Sequence, residues 1–171
     1  MKRLSFVLVF FAIFSFGLYA QALRIAYIDS NRIMMDCNDT REAQRLFQLD
    51  RDRWDREIDD MTADIRRLET ELEMRRLTLS ESGVREAEER ITARHRERQN
   101  LLERIYGERG LAASRNEELL APIMEKLRVI LDRIAIEENY AVIFDAATSG
   151  IVWAQERLDI TNQVINEMNR N

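Results

Sequence analysis

The sequence predicts an α+β fold: a long antiparallel helical hairpin that projects from a small β-sheet body. Three observations carry this. First, from Phe47 to Leu79 the seam positions Phe47, Arg51, Trp54, Ile58, Met61, Ile65, Leu68, Leu72, Arg75 and Leu79 alternate strictly in steps of four and three. That 3.5-residue period keeps one face of a helix turned to a partner helix. Second, almost everything between those positions is Asp, Glu, Arg, Gln or Thr, so the other faces are solvated. Third, the β-branched and aromatic runs that suit strands lie only towards the two ends of the chain. A limb of about 40 residues is about 60 Å long at 1.5 Å per residue, too long to fold inside a small globule.

The chain begins with Met1-Lys2-Arg3, an almost wholly apolar stretch over residues 4–18, and Ala20-Gln21-Ala22, a small-x-small cleavage site. This predicts a signal peptide over residues 1–22 and a mature chain from Leu23. The apolar run is short for an uncleaved span, and no cysteine stands at the cleavage point to carry a lipid. Cleavage removes Lys2 and Arg3, which moves the formal net charge from −5 to −7 and leaves Lys126 as the single lysine. An acidic average excludes a general nucleic-acid binder. Cys37 is the one cysteine, so no internal disulfide can form. It reads as a small buried hydrophobe, with a disulfide between subunits as the alternative.

Arg24-Ile25-Ala26-Tyr27-Ile28 is the first predicted strand. Asp29-Ser30 ends it and offers oxygens to the free N–H groups of a following helix, expected over residues 32–37 with Ile33 and Met34 inward. Asn38-Asp39-Thr40 is read as a break and cap before the first limb. Ser80-Glu81-Ser82-Gly83 is the expected turn. The return limb, residues 84–138, is expected to be interrupted at Pro122, which has no N–H to give Glu118. Beyond Pro122 the pattern becomes broadly apolar, with Ile123, Met124, Leu127, Ile130, Leu131 and Ile134, as if re-entering a core. Asn139 is the expected C-cap. Ala141-Val142-Ile143-Phe144-Asp145 and Ile151-Val152-Trp153-Ala154 are the second and third predicted strands. Asp159 then caps a short helix carrying Ile160, Val164, Ile165 and Met168. The resulting units are body (23–39), hairpin (40–121) and body again (122–171). Three short strands leave open edges and a marginal core. A symmetric oligomer that completes the sheet resolves both, with Ile25, Tyr27, Ile28, Ile143, Phe144 and Trp153 in its body.

No catalytic, metal-binding or cofactor-binding constellation stands out. His95 is the single histidine and sits among Arg94, Arg96, Glu97 and Arg98 on a solvated limb. There is no cysteine pair and no glycine-rich phosphate loop. The chain therefore reads as a non-enzyme. Charge is uneven along the hairpin. Residues 41–73 hold seven arginines against eleven acids, and residues 75–98 hold seven arginines against five acids. One reading is a salt-bridged surface. The other is a mildly cationic tip, with Arg90, Arg94 and Arg98 facing acidic polypeptide or membrane headgroups. Pairing the limbs across the turn sets Trp54 opposite Glu108 and Arg109, between Gly107 and Gly110. Those glycines either make room for the indole or form a hinge in the hairpin.

Residues 24–29, Asn116-Glu117-Glu118-Leu119-Leu120-Ala121-Pro122-Ile123, Tyr140-Ala141-Val142-Ile143-Phe144-Asp145-Ala146 and Leu158-Asp159-Ile160-Thr161, flanking a heptad hairpin behind a signal peptide, together resemble the Skp/OmpH family of periplasmic chaperones. The resemblance covers essentially the whole mature chain. It implies a homotrimer whose intersubunit sheet holds three coiled-coil tentacles around a cavity. It also implies periplasmic localisation and ATP-independent holding of unfolded outer-membrane proteins, with no active site and no cofactor. The family's tentacles are usually rich in lysine. This chain has arginine instead and only a weakly positive tip, so no lipopolysaccharide site is carried over. The alternative function is a coiled-coil structural spacer of the cell envelope.

Overall fold

The computed structural model describes residues 23–170, so the expected signal peptide lies outside the described residues. In chain order the elements are β1 (Ile25–Ile28), α1 (Ser30–Asp36), α2 (Asn38–Arg75), α3 (Glu81–Tyr106), α4 (Leu111–Glu137), β2 (Val142–Asp145), a 3-10 turn (Glu156–Leu158) and α5 (Thr161–Met168).

The sheet has two strands, β1 and β2, paired in parallel with Ile25 beside Val142 and Ile28 beside Asp145. Parallel neighbours need a crossover, and here the crossover is the entire set of helices α1 to α4. Side chains alternate across the sheet. Ala26 and Ile28 enter the core and Ile143 is half-buried against it, while Ile25, Val142 and Phe144 are exposed on the other face. Under the inner face lie Ile33 of α1, Ile123, Leu127, Ile130 and Ile134 of α4, and Val164 and Met168 of α5. Cys37 is fully buried among them, as a small hydrophobe should be.

The third expected strand, residues 151–154, does not form. After β2 the chain turns through Gly150, at φ 66°. It then returns to β1, where Asp159 bridges Tyr27 and the Ile160 N–H donates to the Tyr27 carbonyl at 3.0 Å. With β2 on one edge of β1 and this contact on the other, residues 151–154 reach no free edge of β1.

The helix boundaries differ from expectation in four places. Helix α2 begins at Asn38, so Asn38-Asp39-Thr40 lies inside it, and Cys37 precedes it without a side-chain cap. The missing cap comes from the far end of the chain: Asn169 Oδ1 accepts from the Asn38 N–H at 2.8 Å, and Asn169 Nδ2 donates to the Asp36 carbonyl at 3.1 Å. One carboxamide thus satisfies an orphan group on each side of the α1–α2 joint. The chain reverses between Arg75 and Glu81, ahead of the expected turn, and Gly83 is helical. Ser80 caps α3 by accepting from the Gly83 N–H at 3.2 Å. The return limb is unbroken at Pro122 and broken between Tyr106 and Leu111. Around Pro122 the buried face of Ile123, Leu127 and Ile130 holds the helix despite one missing N–H. At the break the two glycines end one helix and start the next: the Gly107 N–H closes α3 on the Glu103 carbonyl, and Gly110 precedes α4. The C-cap of α4 is Glu138, and Asn139, the expected cap, follows it at φ 54°.

Asp29 caps α1 by accepting from the Arg32 N–H at 3.1 Å. Asp145, at the end of β2, locks the same joint. Its Oδ2 accepts from the Ser30 hydroxyl at 2.7 Å, and its Oδ1 accepts from the N–H groups of Ser30 at 3.2 Å and Ala147 at 3.1 Å. Burial alone would raise the Asp145 pKa. The hydrogen bonds from Ser30, Ala147 and Thr148 outweigh it and hold the carboxyl below its ordinary range. A depressed carboxylate stabilises the fold above the unfolded-state pKa, and that contribution disappears as pH falls through the lower folded value. Asp145→Asn is therefore expected to destabilise the chain at neutral pH by about 1–2 kcal/mol. Its stability should also fall less steeply than the wild type's below about pH 4. Urea denaturation at pH 7 and pH 3 measures both; parallel acid profiles would remove Asp145 from this role.

Candidate interaction surfaces

Three surfaces stand out, and each follows from what the local sequence leaves unburied. The first is the outer face of the sheet. The strands are too short to bury both faces inside one chain, so Ile25, Tyr27 and Phe144 join Leu23, Tyr140 and Trp153 around an open cleft of about 730 Å³. Trp153 is 78% exposed. The guanidinium of Arg24 stacks over the Tyr140 ring at 5.0 Å and reaches Glu138 at 3.5 Å, fixing one wall. Of the six residues expected in an oligomer body, Ile28 and Ile143 turn to this chain's own core, and the other four line this cleft.

The second surface is the outer part of the hairpin. The limbs run antiparallel: Asp39 meets Lys126 at 2.7 Å, Asp50 meets Arg115 at 2.8 Å, Asp64 meets Arg94 at 3.2 Å, and Glu69 meets His95 at 3.1 Å. The Arg67 hydrogen bond holds Asp64 below the usual carboxylate range, with Arg94 adding to it. The three arginines expected to face outward together do not form one free patch. Arg94 is tied to Asp64 and to Glu97 at 2.7 Å. Arg98 is half-buried against α2, 3.5 Å from the Thr62 hydroxyl, and its Nε is buried without a partner among the described residues. Only Arg90 is exposed and free of an ion pair among the described residues. Pairing of limbs, rather than display of charge, accounts for Arg94.

Between the tip and the body lies a separate apolar cluster of Trp54, Leu101 and Ile105, with Phe47, Ile58, Met61 and Ala112 packed on it. Trp54 meets Phe47 and Tyr106 edge-to-face, at 6.4 and 6.5 Å between centroids. The Tyr106 hydroxyl donates to Asp55 Oδ1 at 2.5 Å, and this bond, with burial second, raises the Tyr106 pKa. Trp54 thus packs against Leu101, Ile105 and Tyr106 at the end of α3. The glycines beside it have ordinary backbone angles, φ −60° at Gly107 and −76° at Gly110. They are needed for closeness. A Cβ at Gly107 would fall on the Glu103 carbonyl oxygen, and one at Gly110 would lie 2.5 Å from the Ile105 carbonyl oxygen. Alanines there would clash with the break itself, so they are no simple stiffening of the limb.

The third surface was not anticipated from the sequence. Where α1 meets α2 and α4, Met34, Met35, Phe47, Leu119 and Leu120 line an open groove of about 580 Å³. The sequence signal was the adjacent pair Met34-Met35, of which only one can point inward on a seven-residue helix. Among the described residues no group of His, Cys, Asp and Glu could hold a metal ion, and no helix is long and apolar enough to cross a membrane.

Residues 24–168 match the model of the family described as outer membrane protein (OmpH-like). The fold is similar to a crystal structure of a candidate outer membrane chaperone (OmpH-like) from Caulobacter crescentus CB15. The TM-score is 0.76 at 13% sequence identity, over 91% of this chain and 90% of that one. At that identity the likeness is one of fold. No curated protein matches the sequence.

Proposed function

The chain belongs to the OmpH-like family, and from that premise we propose that it is a periplasmic, ATP-independent holdase that keeps unfolded outer-membrane proteins from aggregating. The observation that carries this reading is the hairpin. Beyond its root at Thr40 and Ala43 its buried side chains are few: Trp54, Ile65, Leu101 and Ile105. Limbs of 38 and 26 residues that bury so little between them are suited to enclosing something else. Unfolded barrel strands alternate apolar and polar residues and aggregate through exposed edges. Many weak contacts along such limbs would retain them without one tight site. Release then comes from client folding or transfer.

The decisive assay dilutes a urea-denatured outer-membrane barrel protein into buffer with the mature chain. Light scattering should stay near baseline at near-stoichiometric ratio. Undiminished aggregation would leave the second reading, a structural spacer of the envelope, which the salt-bridged helices also suit.

The proposed assembly is a homotrimer, supported by the exposed apolar cleft over the outer face of the sheet. Trp153 is exposed in the single chain, so Trp153→Ser should leave its folding intact while weakening subunit association at least tenfold, a loss of about 1.4 kcal/mol. Sedimentation across a concentration series reads this. A stable wild-type monomer at micromolar concentration would reject the assembly.

The proposed hinge is the break between α3 and α4, where limbs that accept clients of different size could splay. Amides at residues 106–111 should exchange hydrogen faster than those at 119–131; uniform slow exchange along the return limb would leave Gly107 and Gly110 as packing residues only.

A further inference from the structure

We infer that the groove between α1, α2 and α4 is a seat for extended client polypeptide, taking apolar side chains on its floor and the main chain along its rim. This rests on the holdase reading and assigns it a place and a chemistry.

Charge is the first argument. A third of the chain is Asp, Glu, Lys or Arg, and the surrounding limbs are laced with ion pairs. None of the residues lining this groove is charged. Its floor is Met34, Met35, Phe47, Leu119 and Leu120. Thioether side chains are unbranched and polarizable, so they re-pack around apolar groups of different shape. Adaptable methionine surfaces favour loose specificity over a single partner. Met34 is steadied by the Thr40 hydroxyl, 4.0 Å from its sulfur, while Met35 is 64% exposed. The volume is that of a site for a few side chains, not a whole domain.

The rim is the second argument. Asn31, Gln44 and Asn116 border the groove, one from each helix. Their carboxamides have no hydrogen-bond partner among the described residues. Each offers donors and an acceptor, which is what an extended backbone requires, whatever its sequence. A lipid headgroup would call for lysine or arginine in the lining, and the groove has none. A second copy of this chain is the competing occupant, because a threefold ring uses two different faces of each subunit, and crosslinking between copies separates it from a client.

The test uses the full mature chain and a urea-denatured eight-stranded outer-membrane barrel protein as probe. A photo-crosslinking phenylalanine analogue is placed at position 35 and, as a control, at position 74, where Met74 is 74% exposed at the far end of α2. Crosslinks to the barrel protein are expected at position 35 in clear excess over position 74. Met35→Glu should weaken client binding about tenfold, with the thermal midpoint unchanged, and Met35→Leu should bind as the wild type does. If the wild type holds the client but position 35 gives no crosslink and Met35→Glu binds normally, the groove is not the seat and the holdase reading stands. Crosslinks between copies of the chain at position 35 would overturn the seat as a subunit contact. Failure of the wild type to hold the client removes the holdase reading, and the seat with it.

Discussion

The parallel pairing of β1 with β2 is the constraint on which the rest of the structure depends. Two strands of four residues are marginal by themselves, and a parallel pair cannot be closed by a tight turn. Everything from Ser30 to Tyr140 is the connection between them. That requirement brings α4 back beneath the sheet, where Ile123, Leu127, Ile130 and Ile134 form the main wall of the core. It also fixes the base of the hairpin, because α2 leaves and α4 re-enters beside the same two strands. The price is entropic, since closing so long a connection is costly. The compensation comes from helices that order themselves locally and pair along their length. Asn169 and Asp145 then pin the point of departure: one clamps the α1–α2 joint, and the other joins the end of β2 to the start of α1.

The hairpin is held by a different balance. Its ion pairs are numerous but mostly half-exposed, and such pairs contribute about 0–1 kcal/mol each. Burying one large apolar side chain contributes about 1.5–3 kcal/mol. The cluster of Trp54, Leu101 and Ile105 therefore outweighs several of those pairs, and it sits beside the break at Gly107 and Gly110 rather than far from it. The ion pairs act chiefly on register. A slip of one limb along the other would break both Asp50 with Arg115 and Asp64 with Arg94. Arginine suits that work better than lysine, since its planar fork can serve two carboxylates at once, as Arg94 does with Asp64 and Glu97.

Much of this was legible in the sequence. The strict four–three spacing from Phe47 announced α2, and the return to apolar residues after Pro122 announced the re-entry of α4. Strand, helix and cap at residues 25–36 followed from β-branched residues and one aspartate. What could not be read depended on partners distant in sequence. Nothing local says that Asn169 will cap Asn38, which made Asn38-Asp39-Thr40 look like a break. Ile151-Val152-Trp153 has strand composition, but composition does not show that Asp159 and Ile160 already occupy the free edge of β1. Pro122 looked like the weak point because proline forfeits a hydrogen bond. Packing of Leu119, Leu120 and Ile123 on the core overrode that loss, and the true break fell on Gly107 and Gly110, which lie against the Glu103 and Ile105 carbonyls. The arginines 90, 94 and 98 share a four-residue spacing, yet the chemistry of each depends on what α2 places opposite it.

The three surfaces are chemically unlike one another, and that difference constrains what each can do. The sheet face is aromatic: the Phe144 ring stands on β2, the Trp153 indole on the irregular segment that follows it, and a guanidinium is stacked on a third ring. Aromatic surfaces lose little entropy when covered and favour one well-fitted partner, which suits an identical subunit. The groove is flexible, uncharged and edged with amides, a composition that discriminates poorly among apolar chains. The tip has its charges largely neutralised by its own carboxylates, so it offers steering at most and little specific grip. A holdase needs this division. Contacts among its own subunits must be specific, whereas contacts with clients must be tolerant, because an unfolded chain presents no fixed shape to recognise. Placing the tolerant surface at the root of the hairpin, where α1, α2 and α4 converge on the core, puts it on the best-anchored part of the limb. On the proposed reading a client held there would meet a fixed wall, and the limbs beyond the Gly107–Gly110 break would be the part left to adjust to its size.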